Sequence, residues 1–186
     1  FLMIGRPRIF TLLPYTTLFR SGGDGFGLQC KKWDGKKVDI ACDIMNIPEP
    51  DASFDAILCS EVFDHLPDPV RAVQELDRLL KPGGTLLLTE SFCGLTNQSP
   101  FFFYTGLSKN WYEHWLKGYD VQIQYNGNYY EWMAQELRRM VSQGDINANM
   151  ASLIIFQMDA ASQNKPESYQ ILCYGLLVKA VKNACI

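Results

Sequence analysis

The chain has 186 residues, of which 47% are apolar and 20% are charged, and its formal net charge is −3. This length and apolar fraction suit one globular domain and argue against intrinsic disorder. The net charge is slightly negative and the sequence has no cluster of basic residues, so its charge gives no indication of nucleic-acid binding. No apolar run approaches the ~20 residues that a membrane span requires, and three arginines near the start argue against a secretory signal.

The first 21 residues differ from the remainder of the chain. Prolines at positions 7 and 14 interrupt them, and neither a helical nor a strand period is present. Residues 13–21, Leu-Pro-Tyr-Thr-Thr-Leu-Phe-Arg-Ser, resemble the translation of a sequencing-library adapter. We therefore interpret residues 1–21 as a non-native segment and residues 22–186 as a partial domain. The alternative is a genuine N-terminal extension.

A glycine cluster follows at residues 22–27, Gly-Gly-Asp-Gly-Phe-Gly, and contains the pattern G-x-G-x-G. Such a loop can hold a nucleotide phosphate at the start of a helix. Only ten residues separate Gly27 from the next apolar run, whereas a helix and a second strand with their connections need roughly 25. A turn rich in glycine and aspartate is the preferred interpretation.

From Val38 onward, apolar runs and an amphipathic helix alternate. Three near-continuous apolar runs, typical of strands buried on both faces of a parallel sheet, cover Val38–Cys42, Phe54–Ser60 and Gly84–Glu90. Between the last two, Asp68 and Pro69 begin a helix whose apolar face continues to Leu80. Strand, helix and strand then form a right-handed βαβ unit.

The second half of the chain is dense in aromatic residues. We predict helices over Lys109–Lys117, Tyr129–Ser142 and Asn147–Ala161, and strands over Asp120–Tyr125 and Tyr169–Val181.

Six cysteines and two histidines bear on disulfides and metal binding. No C-x-x-C pair occurs, so a zinc site is poorly supported and we predict no metal. Cys42, Cys59 and Cys173 lie within apolar runs, where a thiol packs as a small apolar group. The pattern favours free, partly or fully buried thiols in a reducing cytoplasm.

Four short segments together resemble the class I methyltransferases that use S-adenosylmethionine, in particular the type 11 group. They are residues 38–44 with Ile47-Pro48, residues 53–57, residues 61–66 with Asp68-Pro69, and residues 78–84. Each alone is weak, but their order and spacing are specific. The resemblance covers roughly residues 22–139. It implies an α/β, Rossmann-like sheet with helices on both faces, without its first strands and with an antiparallel final strand.

The resemblance also implies where S-adenosylmethionine is bound, at the carboxyl ends of the strands, where open α/β sheets hold their ligands. Asp43 would accept a hydrogen bond from the adenine amino group, and the Ile44 N–H would serve a ring nitrogen. Ser60 and Glu61 would lie along the methionine part, with Glu61 facing its ammonium group. The alternatives are that Asp43 only caps the next turn and that Glu61 is a solvated acid.

The catalytic residues stay unassigned, because methyl transfer depends chiefly on in-line alignment of the acceptor and the methyl group. His65 is a weak candidate for a general base, but in the family a histidine here usually shapes the helix entry, and we favour that role. Several aromatic residues are candidates for a substrate lid, although a core or dimer surface is preferred for most: Phe92, Phe101, Phe102, Phe103, Tyr104, Trp111 and Tyr112.

The glycine-rich first motif of the family and its ribose-binding acid are not found, since Asp24 and Asp34 end no convincing strand. We therefore expect methyl transfer to an unidentified acceptor, impaired in this chain, in a cytoplasmic protein whose oligomeric state stays open. One alternative is a binding or scaffolding module without catalysis. Another, a nicotinamide-dependent oxidoreductase, would need its own glycine fingerprint.

Overall fold

A computed structural model describes residues 9–12, 42–95 and 101–184. Its strands are β1 (Ile9–Leu12), β2 (Phe54–Ser60), β3 (Leu80–Ser91), β4 (Tyr119–Asn126) and β5 (Gly175–Lys182). Its α-helices are α1 (Pro69–Leu79), α2 (Lys109–Trp115), α3 (Tyr129–Gln143) and α4 (Ala148–Asn164). Short 3-10 helices cover Phe63–His65 and Pro166–Gln170.

The strands form one sheet in the order β1-β2-β3-β5-β4. Strands β1, β2 and β3 are parallel, whereas β5 is antiparallel to both β3 and β4. The predicted α/β class, the unit of β2, α1 and β3, and the antiparallel final strand are confirmed.

Helix α1 follows the local signals in its sequence. The Asp68 carboxylate accepts a hydrogen bond from the Arg71 N–H at 3.0 Å, and Pro69 occupies the first turn. The buried face of α1 packs into the same core as Leu86 and Leu88 of β3. Strand β3 begins at Leu80 rather than at Gly84, because the chain passes directly from α1 into the sheet. The pairing of β3 with β2 shifts register between Phe54 and Ala56 of β2.

Strand β1 lies in the segment for which no regular structure is predicted. It pairs with β2 from Ile9 opposite Ala56 to Leu12 opposite Cys59. That expectation was wrong for these four residues, because the two prolines flank the run Ile-Phe-Thr-Leu, which has high strand propensity. The adapter origin of residues 1–21 stays a prediction. The glycine cluster and residues 38–41 lie outside the described residues.

In the second half, the predicted helices and β4 are confirmed to within three residues at each end. Strand β5 begins at Gly175 rather than Tyr169, since residues 166–170 form a 3-10 helix. Helices α3 and α4 pack as a hairpin, and Ser162 of α4 donates to the Glu131 carboxylate of α3 at 2.8 Å. The outer side of α4 leaves large apolar side chains exposed: Met150, Leu153, Ile154 and Phe156.

Cys59 and Cys173 are buried free thiols, and Cys42 and Cys93 are half-buried free thiols. In the described part of the chain, no helix combines the length and apolar character needed to cross a membrane.

Candidate cofactor site

The carboxyl end of β2 turns sharply at Ser60–Phe63, a segment that we call the β2 corner. Glu61 adopts a left-handed backbone conformation with φ of 51°, and the 3-10 helix Phe63–His65 begins directly afterwards. A non-glycine residue in this region costs about 1–2 kcal/mol, so the surrounding contacts must hold it there. Strain of this kind is concentrated at functional sites.

Two residues at the end of β3, Thr89 and Ser91, hold the first half of the β2 corner. The Thr89 carbonyl oxygen accepts from the Glu61 N–H at 2.7 Å, and the hydroxyl groups of Thr89 and Ser60 lie 2.5 Å apart. The Ser91 hydroxyl donates to the Glu61 carboxylate at 3.1 Å. Ser60 and Glu61 are therefore positioned by their neighbour strand.

Glu90, between those two residues, holds the second half of the β2 corner. Its side chain lies in the core, with the residue only 2% exposed, and one carboxylate oxygen accepts from the N–H groups of Val62 (3.0 Å) and Phe63 (2.9 Å). These are free donors at the start of a 3-10 helix that has no side-chain cap of its own. Burial raises the pKa of Glu90 to about 8, although the two N–H groups oppose that shift.

Sequence reasoning missed Glu90 and treated it only as the last residue of a strand. The available signal is an acid inside an otherwise apolar run, since a buried carboxyl group requires partners.

Asp64 and His65 are both buried, each 4% exposed. The His65 Nδ1 atom lies 2.7 Å from the Phe101 carbonyl oxygen, and its Nε2 atom lies 3.5 Å from Asp64 Oδ1. Burial raises the pKa of Asp64, whereas His65 lowers it. The imidazole thus joins the 3-10 helix to the segment that follows β3, and the predicted role in shaping the helix entry fits this position.

Asp43 and Ile44 lie in a separate loop ahead of β2. Asp43 is exposed, and its Oδ1 atom accepts from the Met45 N–H at 2.9 Å, so it does cap the following turn. A carboxylate has a second oxygen with its own acceptor capacity, so capping does not exclude ligand binding. Ile44 packs against the core. No hydrogen bond in the described ranges joins Asp43 to the β2 corner.

The aromatic lid candidates divide between core and surface. Tyr112 is fully buried, and its hydroxyl group has no hydrogen-bond partner among the described residues. Trp111 stacks edge-on against Phe63 with ring centroids 6.0 Å apart. Phe103 and Tyr104 remain 47% and 36% exposed, and their N–H groups donate to the Asp64 carbonyl oxygen. The exposed pair therefore lies beside the β2 corner.

A family model described as a methyltransferase domain matches residues 28–88. The matched stretch includes all of the predicted site residues, namely Asp43, Ile44, Ser60, Glu61 and His65. The predicted resemblance to a methyltransferase domain is therefore confirmed over residues 28–88.

Among curated proteins, the chain is similar to the ubiquinone biosynthesis O-methyltransferase of Xanthomonas campestris pv. campestris (strain B100). The two are 49% identical over 41 residues, which are 22% of this chain and 17% of that protein. It is also similar to the 27-O-demethylrifamycin SV methyltransferase of Amycolatopsis mediterranei (strain S699), with 40% identity over 55 residues, 30% of this chain and 20% of that protein. The chain thus matches only about a fifth of the length of these relatives.

Among solved structures, the YcgJ protein from Bacillus subtilis aligns with 77% of this chain and 70% of its own, at 19% identity and a TM-score of 0.45. Phosphoethanolamine N-methyltransferase 2 of Haemonchus contortus, in complex with S-adenosyl-L-methionine, aligns with 77% of this chain and 36% of its own. Its identity is 17% and its TM-score is 0.45.

Proposed function

We propose that this chain is part of an S-adenosylmethionine-dependent methyltransferase, and that Asp43, Ile44 and the β2 corner contact the cofactor. The observation that carries the proposal is the methyltransferase-domain match over residues 28–88, because it contains both segments. The parallel arrangement of β1, β2 and β3 supports it, since ligands of such sheets bind at the carboxyl ends of the strands.

The chemistry of the available groups fits this cofactor. S-adenosylmethionine has an amino group at each end and a cationic sulfonium, which supplies an activated methyl group. Asp43 and Glu61 are exposed carboxylates that can accept from such amino groups, and charge-assisted hydrogen bonds are the stronger kind. Ser91 fixes one oxygen of Glu61 by donating to it, so the carboxylate is oriented before any ligand arrives.

Although Glu61 is exposed as a residue, partial burial of its carboxyl group raises its pKa, and the nearby Asp64 raises it further, whereas the Ser91 hydroxyl lowers it. A cationic ammonium group at this position would favour the ionised form of Glu61. The negative potential of these two acids favours a cationic ligand at the β2 corner.

The decisive measurement is isothermal titration with S-adenosylmethionine and S-adenosylhomocysteine. We expect heat with both compounds, because the chain contains Asp43, Ile44 and the β2 corner. Absence of heat with both compounds would contradict the proposed function.

Two Asp43 variants separate cofactor binding from turn capping. Asp43→Ala should weaken binding by about tenfold or more, since a charged acceptor is lost. Asp43→Asn keeps an oxygen for the Met45 N–H but removes the charge, so it should weaken binding without loosening the turn. Asp159→Asn, which changes an exposed acid on α4, is the matched control and should leave the affinity unchanged. Equal affinities for all three variants would overturn the assignment of Asp43.

A further inference from the structure

Glu90 makes contacts that the proposed cofactor contacts do not explain. Three successive backbone N–H groups of the β2 corner, those of Glu61, Val62 and Phe63, donate to two successive residues of β3. Thr89 receives the first through its backbone, and Glu90 receives the other two through its side chain. The carboxyl group of Glu90 therefore extends the row of hydrogen bonds between β3 and the β2 corner, and the backbone of β3 alone does not supply these two acceptors.

The surroundings of Glu90 show why this arrangement needs an acceptor at that position. Val62 and Phe63 are themselves buried, so their N–H groups have no alternative partner in water. An apolar side chain at position 90 would leave both donors buried and unpaired. The strained conformation of Glu61 would then be held from one side only.

Among the residues that the structure describes, the ionisable groups that act on Glu90 come from three elements, and none of them is a cation. Glu61 and Asp64 follow β2, Cys59 lies within β2, and Tyr112 lies on α2. No salt bridge therefore explains the burial of Glu90, and its described partners are the two N–H groups of the β2 corner.

We infer that Glu90 is a positioning residue, which holds the β2 corner in the geometry that binds the methionine part of the cofactor. The inference rests on the proposed function, because the corner is a cofactor contact only in that proposal. Its action is indirect, since it reaches the ligand only through the backbone of residues 60–63.

The test combines amide hydrogen exchange with titration of S-adenosylhomocysteine. In Glu90→Leu, exchange at Val62 and Phe63 should become faster by about tenfold or more, and the Kd should rise by a similar factor. In Glu90→Gln the side-chain oxygen still accepts both N–H groups, so both quantities should stay within about threefold of the wild type. If Glu90→Leu does not fold, Glu90→Asp, which is one methylene shorter, takes its place and should lose protection for at least one amide.

Tyr119→Phe is the matched control, because it removes a 2.7 Å hydrogen bond to Asp77 near the amino end of β3. We expect it to lower the Tm without changing the Kd. If Glu90→Leu behaves in the same way, or if Glu90→Gln is as impaired as Glu90→Leu, the inference is overturned. Absence of binding by the wild type would instead contradict the proposed function. Even in that case, unchanged hydrogen exchange at Val62 and Phe63 in Glu90→Leu would overturn the role of Glu90 in the β2 corner.

Discussion

Arg78 of α1 donates from Nη2 to the carbonyl oxygen of Ile47, 3.0 Å away and 31 residues earlier in the chain. Its Nη1 atom donates to the carbonyl oxygen of Glu49 at 2.8 Å and to the Asp51 carboxylate at 2.7 Å. Glu75 completes the contact, because one of its oxygens binds both Arg78 and the Ile47 N–H. The segment that contains Ile47 and the segment that begins at Arg78 both carry the methyltransferase resemblance, and these hydrogen bonds join them. The loop that follows Asp43 is therefore fixed to α1.

Arg78→Lys should lower the free energy of unfolding by about 1–2 kcal/mol, since an ammonium group cannot reproduce the forked set of hydrogen bonds. Urea unfolding measures the change. Arg138→Lys is the control, because Arg138 forms one exposed ion pair with Asp159, and the expected loss there is below about 0.5 kcal/mol. Equal losses for the two variants would show that the contacts of Arg78 with the loop do not contribute.

His65→Ala should reduce stability by about 1–3 kcal/mol, because it removes a buried ring and its hydrogen bond to the Phe101 carbonyl oxygen. Cofactor affinity, measured by titration below the new Tm, should change little. A general base would lose the same stability and would in addition show a methyl-transfer rate lower by about 100-fold or more. Thermal unfolding together with a methyl-transfer assay distinguishes the two roles.

Glu90 should make the folded state less stable as the pH rises. Its pKa is about 8 in the folded chain against an ordinary value of 4.5, so between these values the folded state keeps a proton that the unfolded chain has lost. This contribution is favourable below about pH 4.5 and falls by up to about 1.4 kcal/mol per pH unit as the pH rises towards 8. Glu90→Gln removes the titration, so its unfolding free energy should decline less from pH 5 to pH 8. Parallel curves for wild type and variant would contradict this assignment.

Gly127→Ala and Gly144→Ala separate backbone strain from a steric clash. Both glycines have positive φ, 72° and 80°, but only at Gly127 would a Cβ atom meet the Tyr174 ring. That ring is held by a hydrogen bond from its hydroxyl to the Glu131 carbonyl oxygen at 2.7 Å. We expect a loss of about 1 kcal/mol for Gly144→Ala and at least about 2 kcal/mol for Gly127→Ala in urea unfolding. Similar losses would mean that the Tyr174 ring moves aside.

The elements that the sequence predicted correctly are those with local signals. Helix α1 has its cap at Asp68, its proline and its apolar face within a dozen residues, so no distant contact is needed to define it. Strand β5 was predicted too long at its start, because residues 166–170 adopt a 3-10 helix within a stretch that continues into an apolar run.

The roles that the sequence could not supply depend on residues far apart in the chain. Glu90 acts on N–H groups 27 and 28 residues earlier, and Arg78 acts on carbonyl groups about 30 residues earlier. No periodicity or spacing rule connects such pairs. The turn-capping role of Asp43 could be anticipated from the sequence, because its hydrogen-bond partner is only two residues away. Its proposed contact with the ligand stays a prediction.

The position of β5 between β3 and β4 has a consequence for how the protein is made. Residues 175–182 supply backbone partners to both neighbours, yet they leave the ribosome after everything from β3 to α4. Until β5 is synthesised, one edge of β3 is unpaired and β4 has no neighbour in the described sheet. Unpaired strand edges promote aggregation. Cutting the chain before Gly175 would therefore remove β5 and detach β4, because the eight residues of β5 join β4 to the remainder of the described sheet.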